Sequence, residues 1–539
     1  MAKAPEQPIT PAQLGPLRAQ LAVASGGRRL DLILGAPDPG ALVRALPADE
    51  LYFTVREIGL ADAVELVQLA SAEQFRTFLD LDAWRQGRFE PRRALPWLRA
   101  ARTGAQQDTR LATRLARKMR TLDVELVDLV LRDAIRVHDL RVNDDPDVQG
   151  DQVMRTPDNE YLVEFLVEGS EYVAVRGLLD DIEAEDPFKL SRLLAAITWE
   201  LPSELEETAL RWRQGRLADL GYPSMEEALS WYARPPARPA EAPGQPRRAP
   251  GFFLAPLAER SLLARAARGL DPADREALDM QLVTAGNAVL VADGIDPVEL
   301  DQVRAAVAGA RAMVELGLER LAGGDEARAA EVLGGTPVKR LFQEGFGRVL
   351  ELSWRADRLF KAGAVGRRSA PLLDAPLGEL LAALSSRRPR FHPGIERPRE
   401  EWGSPALAAL EPRRFLTAAD LSLAAAALDL CEGLAALARE LALVPAQAEG
   451  EAPRLSALYL TALANQWMGR RFEPAPIPVE ELPAVAGRLG RIEDPRLAGR
   501  GEAGTLLLAL ARRQAGELAA TLDRAVAAPE LVTAILLRR

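Results

Sequence analysis

Three neighbouring segments near the start of the chain open alike: Leu46-Pro47-Ala48-Asp49-Glu50, Ile58-Gly59-Leu60-Ala61-Asp62 and Leu69-Ala70-Ser71-Ala72-Glu73, spaced 12 and 11 positions apart. Each sets a small or turn-forming residue ahead of acids. Pro47 suits a first helical turn, Ser71 suits an N-cap that Gln74 completes as a capping box, and the early acids favour the positive end of a helix dipole. Helical units this short cannot bury their apolar faces alone. The spacing therefore predicts a mainly α fold, an α-superhelical array of short helices stacked on one another.

Helical periodicity continues through most of the 539 residues, of which 48% are hydrophobic but only 5% aromatic. A chain of this length can bury several cores, which excludes disorder as its global state. One cysteine excludes a disulfide scaffold and a multi-cysteine metal site, and fits a reducing, cytoplasmic interior. The first ten residues hold Pro5 and Pro8 and no apolar run, so no secretory leader is expected. The stretch 280–292 is uncharged up to its end, but Gln281, Thr284 and Asn287 interrupt it and it falls short of the roughly 20 apolar residues that cross a bilayer. No membrane span is expected. Acids outnumber bases by 78 to 68, and lysine occupies only positions 3, 118, 189, 339 and 361. The many arginines are interspersed with acids and do not form the basic face that nucleic acid requires.

An internal echo carries most of the architectural expectation. Trp84-Arg85-Gln86-Gly87-Arg88-Phe89 recurs as Trp212-Arg213-Gln214-Gly215-Arg216-Leu217, and Trp467-Met468-Gly469-Arg470-Arg471-Phe472 repeats it more weakly. Each copy reads as a helix end in which the Trp packs down, the Gly takes the left-handed position after the helix, and a new helix follows. Trp84, Trp212 and Trp467 are thus expected as buried anchors, with Gly87 and Gly215 at positive φ.

The one β signal lies between the first two copies. Tyr161, Val163, Phe165 and Val167 alternate after Pro157-Asp158-Asn159, which predicts a small hairpin over 152–167. Residues 122–140 read as one largely buried helix carrying His138. Ser203 with Glu206 and Ser224 with Glu227 offer further capping boxes, and Asp271-Pro272, Asp296-Pro297 and Thr336-Pro337 mark helix starts. The expected organisation is an N-terminal extension at 1–40, a helical-repeat domain at 41–233, a proline-rich linker at 234–250, and a C-terminal helical region at 251–539 with a loop-rich break at 362–414.

Chemistry-bearing patterns are sparse. Asp145, Asp147 and Asp151 partly follow a calcium loop, but Thr156 stands where a bidentate Glu is needed, so they are weak metal candidates in an acidic turn. Gly499-Arg500-Gly501-Glu502-Ala503-Gly504 matches a dinucleotide fingerprint without the buried strand that should precede it, and reads as a loop before a helix. Arg110, Arg114, Arg117 and Lys118 form a basic run that acids follow directly, which reads as a solvated face. Cys431 sits among Leu and Ala and reads as core. Arg390, Phe391 and His392, with Trp402, lie in the long loop of 387–405 and form a candidate interaction loop. No catalytic set and no cofactor are expected.

The run Leu51-Tyr52-Phe53-Thr54-Val55-Arg56-Glu57-Ile58-Gly59 through Phe78-Leu79-Asp80-Leu81-Asp82-Ala83-Trp84 resembles the opening of an uncharacterised bacterial family, a domain of unknown function. Trp199-Glu200-Leu201-Pro202-Ser203-Glu204-Leu205-Glu206 and the stretch from Gly345-Phe346-Gly347 to Trp354 are similar to the same family, which implies no established activity. Residues 46–80 are also similar, less specifically, to the cytosolic helical domain of MgtE-type magnesium channels.

Taken together, the sequence predicts a cytoplasmic, nonenzymatic helical-repeat scaffold with protein partners. The alternatives it leaves are an enzyme using carboxylates or a divalent cation, and a regulatory ion-sensing module.

Overall fold

The structure, a computed structural model, describes residues 20–21, 24, 26–85, 87–105, 107–234, 261–363, 365–367, 370–444, 453–490, 492–520 and 532–538. Among these the fold is mainly α, with sheets of only two or three strands. Two compact units are present, Met1–Gln343 and Glu344–Arg539, and the division falls inside helix Val338–Lys361. The first unit takes in described residues from both sides of 234–250. Apart from Arg234 that segment lies outside the described residues, as does most of the first half of the 1–40 extension.

The first unit begins with the short helices Gly26–Leu34, Pro39–Ala45, Ala48–Ile58, Val64–Leu69 and Ala72–Asp82, of which the last three are those the sequence spacing predicts. Ser71 caps the last of these, accepting from Gln74 N at 3.1 Å while Gln74 Oε1 accepts from Ser71 N at 2.8 Å. The same Gln74 amide donates to the carbonyls of Val43 and Leu46, both at 2.7 Å, so the cap also fastens one helix to its predecessor. Tyr52, Phe75, Phe78 and Trp97 fill the space between the helices, with the Tyr52 and Trp97 rings stacked at 5.7 Å. Burying four aromatic side chains in one place supplies a large share of the apolar area that such short elements need.

The region expected as a single helix over 122–140 is instead two elements. Helix Val124–Arg132 ends at Asp133, and Ile135–Asp139 forms strand β3. β3 pairs antiparallel with β5 (Tyr161–Phe165), which also pairs antiparallel with β4 (Val153–Arg155), giving the order β3-β5-β4. The β4 and β5 strands are the predicted hairpin. The third strand escaped notice because only Ile135 and Val137 alternate, too few to stand out from the helix ahead of them. Two two-residue strands, β1 (Trp84–Arg85) and β2 (Arg88–Phe89), close a tight hairpin before helix Pro91–Arg102.

Helices Gly169–Glu185, Pro187–Trp199 and Pro202–Asp219 complete this part of the unit. Helix Pro202–Asp219 starts with Pro202 at its first turn and Leu201 as N-cap, so Ser203 lies inside the helix and makes no capping box. Ser224 and Glu227 do form one. Asp271 caps helix Pro272–Asp293 as expected, whereas Asp296 is taken up by arginines and helix Leu300–Ala322 starts beyond it at Glu299.

The second unit packs helices Leu377–Leu384, Ala418–Glu440, Leu455–Trp467, Leu482–Leu489 and Gly501–Ala520 around Leu428, Tyr459 and Leu507. Ala418–Glu440 is the one described helix long and apolar enough to cross a membrane, and 56% of its most apolar window is buried inside the protein. Among its buried residues is Cys431. The glycine fingerprint resolves into a turn with Gly499 and Gly501 at positive φ, leading into helix Gly501–Ala520.

Candidate functional site

The two close copies of the echo are not equivalent. Trp84 is buried, but it follows the helix Ala72–Asp82 in strand β1, and Gly87, at φ 80°, turns the β1–β2 hairpin and does not close a helix. Trp212 is 57% exposed in the middle of helix Pro202–Asp219, where Gly215 is an ordinary helical residue. That helix buries Leu205, Ala209 and Leu217, and Trp212, three residues after Ala209 and seven after Leu205, lies at the edge of their stripe and stays largely in solvent. In the weakest copy Trp467 is the last residue of its helix and Gly469 follows at φ 79°, as expected of a helix end, but Trp467 is only half-buried.

The two copies meet face to face. The Arg213 guanidinium lies over the Trp84 ring at 5.5 Å and donates from Nε to the Asp80 carbonyl at 2.6 Å. Arg216 grips the Asp80 carboxylate with two bonds, 2.7 and 2.8 Å, and also pairs with Asp123 at 2.7 Å. Burial raises the Asp80 carboxyl despite Arg216, and lowers Arg213 to about 10. Beside them Asp82 accepts from the Trp97 indole and from Arg93 at 3.0 Å, and Arg93 reaches on to Asp296 at 2.9 Å. Burial alone would raise the Asp296 carboxyl, but Arg93, the Val298 amide and Arg85 hold it below the usual range. These are internal clasps in which every charge has a counter-charge or a carbonyl.

Next to this network opens a cleft of about 570 Å³. Its walls come from the end of helix Val124–Arg132, strand β3, the end of helix Pro187–Trp199, the start of helix Pro202–Asp219 and the hairpin residue Phe89. Several of the polar side chains around it are committed to the protein. Arg132 donates to the carbonyls of Ala196 at 2.8 Å and Glu200 at 2.7 Å, capping the end of helix Pro187–Trp199, and Glu206 accepts from Phe89 N at 2.8 Å. Behind Arg132, at 3.7 Å, the fully buried Asp128 carboxyl is pushed up to about 6 by its burial. Arg136 pairs with Glu164 at 3.2 Å. The lining is mixed: Leu129, Ile135, Val137, Leu166, Ile197 and Pro202 form its apolar part, beside the polar Arg132, Asp133, Arg136, Thr198 and Glu206. Leu166 is 47% exposed, and Trp199 and Leu201, flanking the lining residues in sequence, are 68% and 59% exposed.

The other sequence candidates lie elsewhere. Asp145, Asp147 and Asp151 are exposed and do not converge. Among the described residues no three His, Cys, Asp or Glu side chains are placed to hold a metal ion. Their loop is fastened by its backbone, because Glu164 accepts from Gln149 N and Gly150 N, both at 3.0 Å, and from His138 at 3.2 Å. His138 is thus a strand residue on β3, not a helical one. Lys118 is buried, not on a solvated face; its ammonium donates to the Gln68 carbonyl at 3.0 Å, and burial lowers it to about 8.

The candidate interaction loop faces inward. Phe391 is bridged to Arg413 through backbone bonds of 2.8 and 2.9 Å and packs against Phe415 at 5.5 Å. His392 Nδ1 accepts from Gly394 N at 3.2 Å, and Trp402 donates to the Arg397 carbonyl at 3.0 Å. Phe391, His392 and Trp402 are buried, and Arg390 is half-buried with its amide bonded to Ala383. A long segment with little regular structure needs its own apolar centre, and these rings supply it.

The fold defines a mainly α-helical protein whose charged side chains chiefly hold helices together. The chain belongs to the family described as a family of unknown function, DUF6178, which it matches over residues 6–532. No curated protein and no solved structure matches it, so the likeness of 46–80 to MgtE-type channel domains is not shown.

Proposed function

We propose that this chain is a cytoplasmic, nonenzymatic interaction protein whose partner docks on the cleft-bearing face of the first unit. One observation carries the reading. Most of the exposed large apolar side chains among the described residues lie between Val124 and Met225, and three of them, Leu166, Trp199 and Leu201, stand in or beside the cleft. Single exposed apolar residues are ordinary on a soluble protein, but a group of them around a concavity marks a binding surface. An exposed tryptophan is the side chain that most often anchors one. The buried, unpaired Cys431 suits a reducing compartment.

Affinity capture of the intact chain from its native cell tests this, run in parallel with a Trp199→Ala/Leu201→Ala variant. The expected result is a stoichiometric partner lost from the variant while its unfolding midpoint stays unchanged. Equal recovery of every partner by both proteins overturns the proposal.

A further inference from the structure

Among the described residues strand β3 ends the sheet, and the side away from β5 has no strand on it. The Leu166 amide donates to the Ala134 carbonyl and the Leu140 amide to the Glu160 carbonyl, both at 2.8 Å. In an antiparallel pair the hydrogen-bonded positions alternate, so 134, 136, 138 and 140 turn their backbone groups toward β5, and 135, 137 and 139 turn theirs away. The Asp139 carbonyl is used by the turn that follows, accepting from Val142 N and Asn143 N, both at 3.1 Å. The N–H and C=O groups of Ile135 and Val137 have no hydrogen-bond partner among the described residues. Those same two residues supply part of the apolar lining of the cleft, with Arg136 between them.

An open strand edge is a template for another strand, and proteins usually cover it, shorten it or place proline on it. Here it is left beside a cavity of about 570 Å³ and next to the exposed Leu166, Trp199 and Leu201. We infer that the partner is engaged by strand addition: an extended segment of another protein pairs its backbone with Ile135 and Val137 and lowers an apolar side chain into the cleft. Outward amides and carbonyls at alternate positions are met by a backbone of the same repeat, which a helix or a globular surface does not offer. The inference rests on the docking face proposed above and adds how that face is used.

The probe is a phage-displayed library of linear peptides selected on the full chain, followed by affinity measurement on the best binder. Hydrogen exchange should show the Ile135 and Val137 amides slowing when the peptide is bound. Val137→Pro removes an outward N–H and no bond to β5, so the sheet stays paired while peptide affinity falls about tenfold or more. Methylating the peptide backbone nitrogens one at a time should give a comparable loss at alternate positions, and this decides the matter if Val137→Pro does not fold. If Trp199→Ala weakens binding while Val137→Pro and backbone methylation leave it unchanged, the docking face stands and strand addition is overturned. A library that returns no binder, or binders indifferent to Trp199 as well, overturns both. Protection of Val137 that rises with the protein's own concentration makes a second copy the occupant and overturns the inference.

Discussion

The guanidinium of Arg213 covers the ring of Trp84 at 5.5 Å, so two segments that look like repeats of one another are in fact the two halves of one contact. This breaks the symmetry their sequences suggest. Trp84→Ala should cost about 3–5 kcal/mol of unfolding free energy, since it empties a buried site. Trp212→Ala should cost less than about 0.5 kcal/mol, since that ring is largely in solvent. A double-mutant cycle between Trp84 and Arg213 should return a coupling of about 1 kcal/mol. Chemical denaturation of the wild type and the four variants measures all three quantities, and equal losses at the two tryptophans would restore the repeat.

The glycines should differ in sign. Gly87 sits at φ 80° with open space around a would-be Cβ, so Gly87→Ala costs about 1 kcal/mol from backbone strain alone. Gly215 is helical with equally open space, so Gly215→Ala should stabilise by up to about 1 kcal/mol. Thermal midpoints of the two variants will move in opposite directions.

Asp128 should leave a mark on the pH dependence of stability. Its carboxyl titrates at about 6 in the folded protein because burial disfavours its charge, against about 4 when unfolded. The folded state therefore holds the extra proton, and this residue makes stability fall as pH rises from about 4 through 6 and level off above. Asp128→Asn should flatten that part of the profile, measured by denaturant unfolding at a series of pH values. An unchanged slope would show that Asp128 is not the group responsible.

Cys431 is fully buried, and burial pushes its thiol well above the ordinary range. A water-soluble thiol reagent should modify it only as fast as the second unit opens, at a rate insensitive to reagent concentration once opening limits the reaction. Modification as fast as that of an unhindered thiol would place it near the surface.

Clasps join residues on the two sides of 234–250 within the first unit: Arg93 with Asp296, Asn287 Nδ2 with the Gly221 carbonyl at 3.2 Å, and Lys339 with Ser230 at 2.7 Å. If a specific protease site is placed in that segment and cut, the two pieces should migrate as one species under native conditions. Their separation on a sizing column would mean that the halves have independent cores.

How much of this was legible beforehand depended on the range of the interactions. Helix starts written locally, at Ser71, Ser224 and Asp271, were readable because a cap and its first turn are adjacent in sequence. The family resemblance was readable in 51–84, and the same stretch holds Asp80, Asp82 and Trp84. Their partners Arg213, Arg216 and Asp296 were not, because an ion pair across more than a hundred residues leaves no periodic trace. The cleft was missed for a related reason: its edge strand offers two alternating residues. Trp199 ahead of Leu201-Pro202 was the available clue, a large ring at the end of a helix with nothing nearby to cover it. The loop at 387–405 misled in the other direction, since prolines and arginines read as surface while Phe391 and Trp402 were building an interior.

One buried carboxylate, Glu164, holds the backbone of the acidic loop through Gln149 N and Gly150 N, while the aspartates of that loop point outward and hold nothing in common. The loop is thus a ready grafting position. An epitope or a fluorophore-labelling sequence replacing 144–147 should display freely while the sheet keeps its shape, provided residue 164 stays an acid.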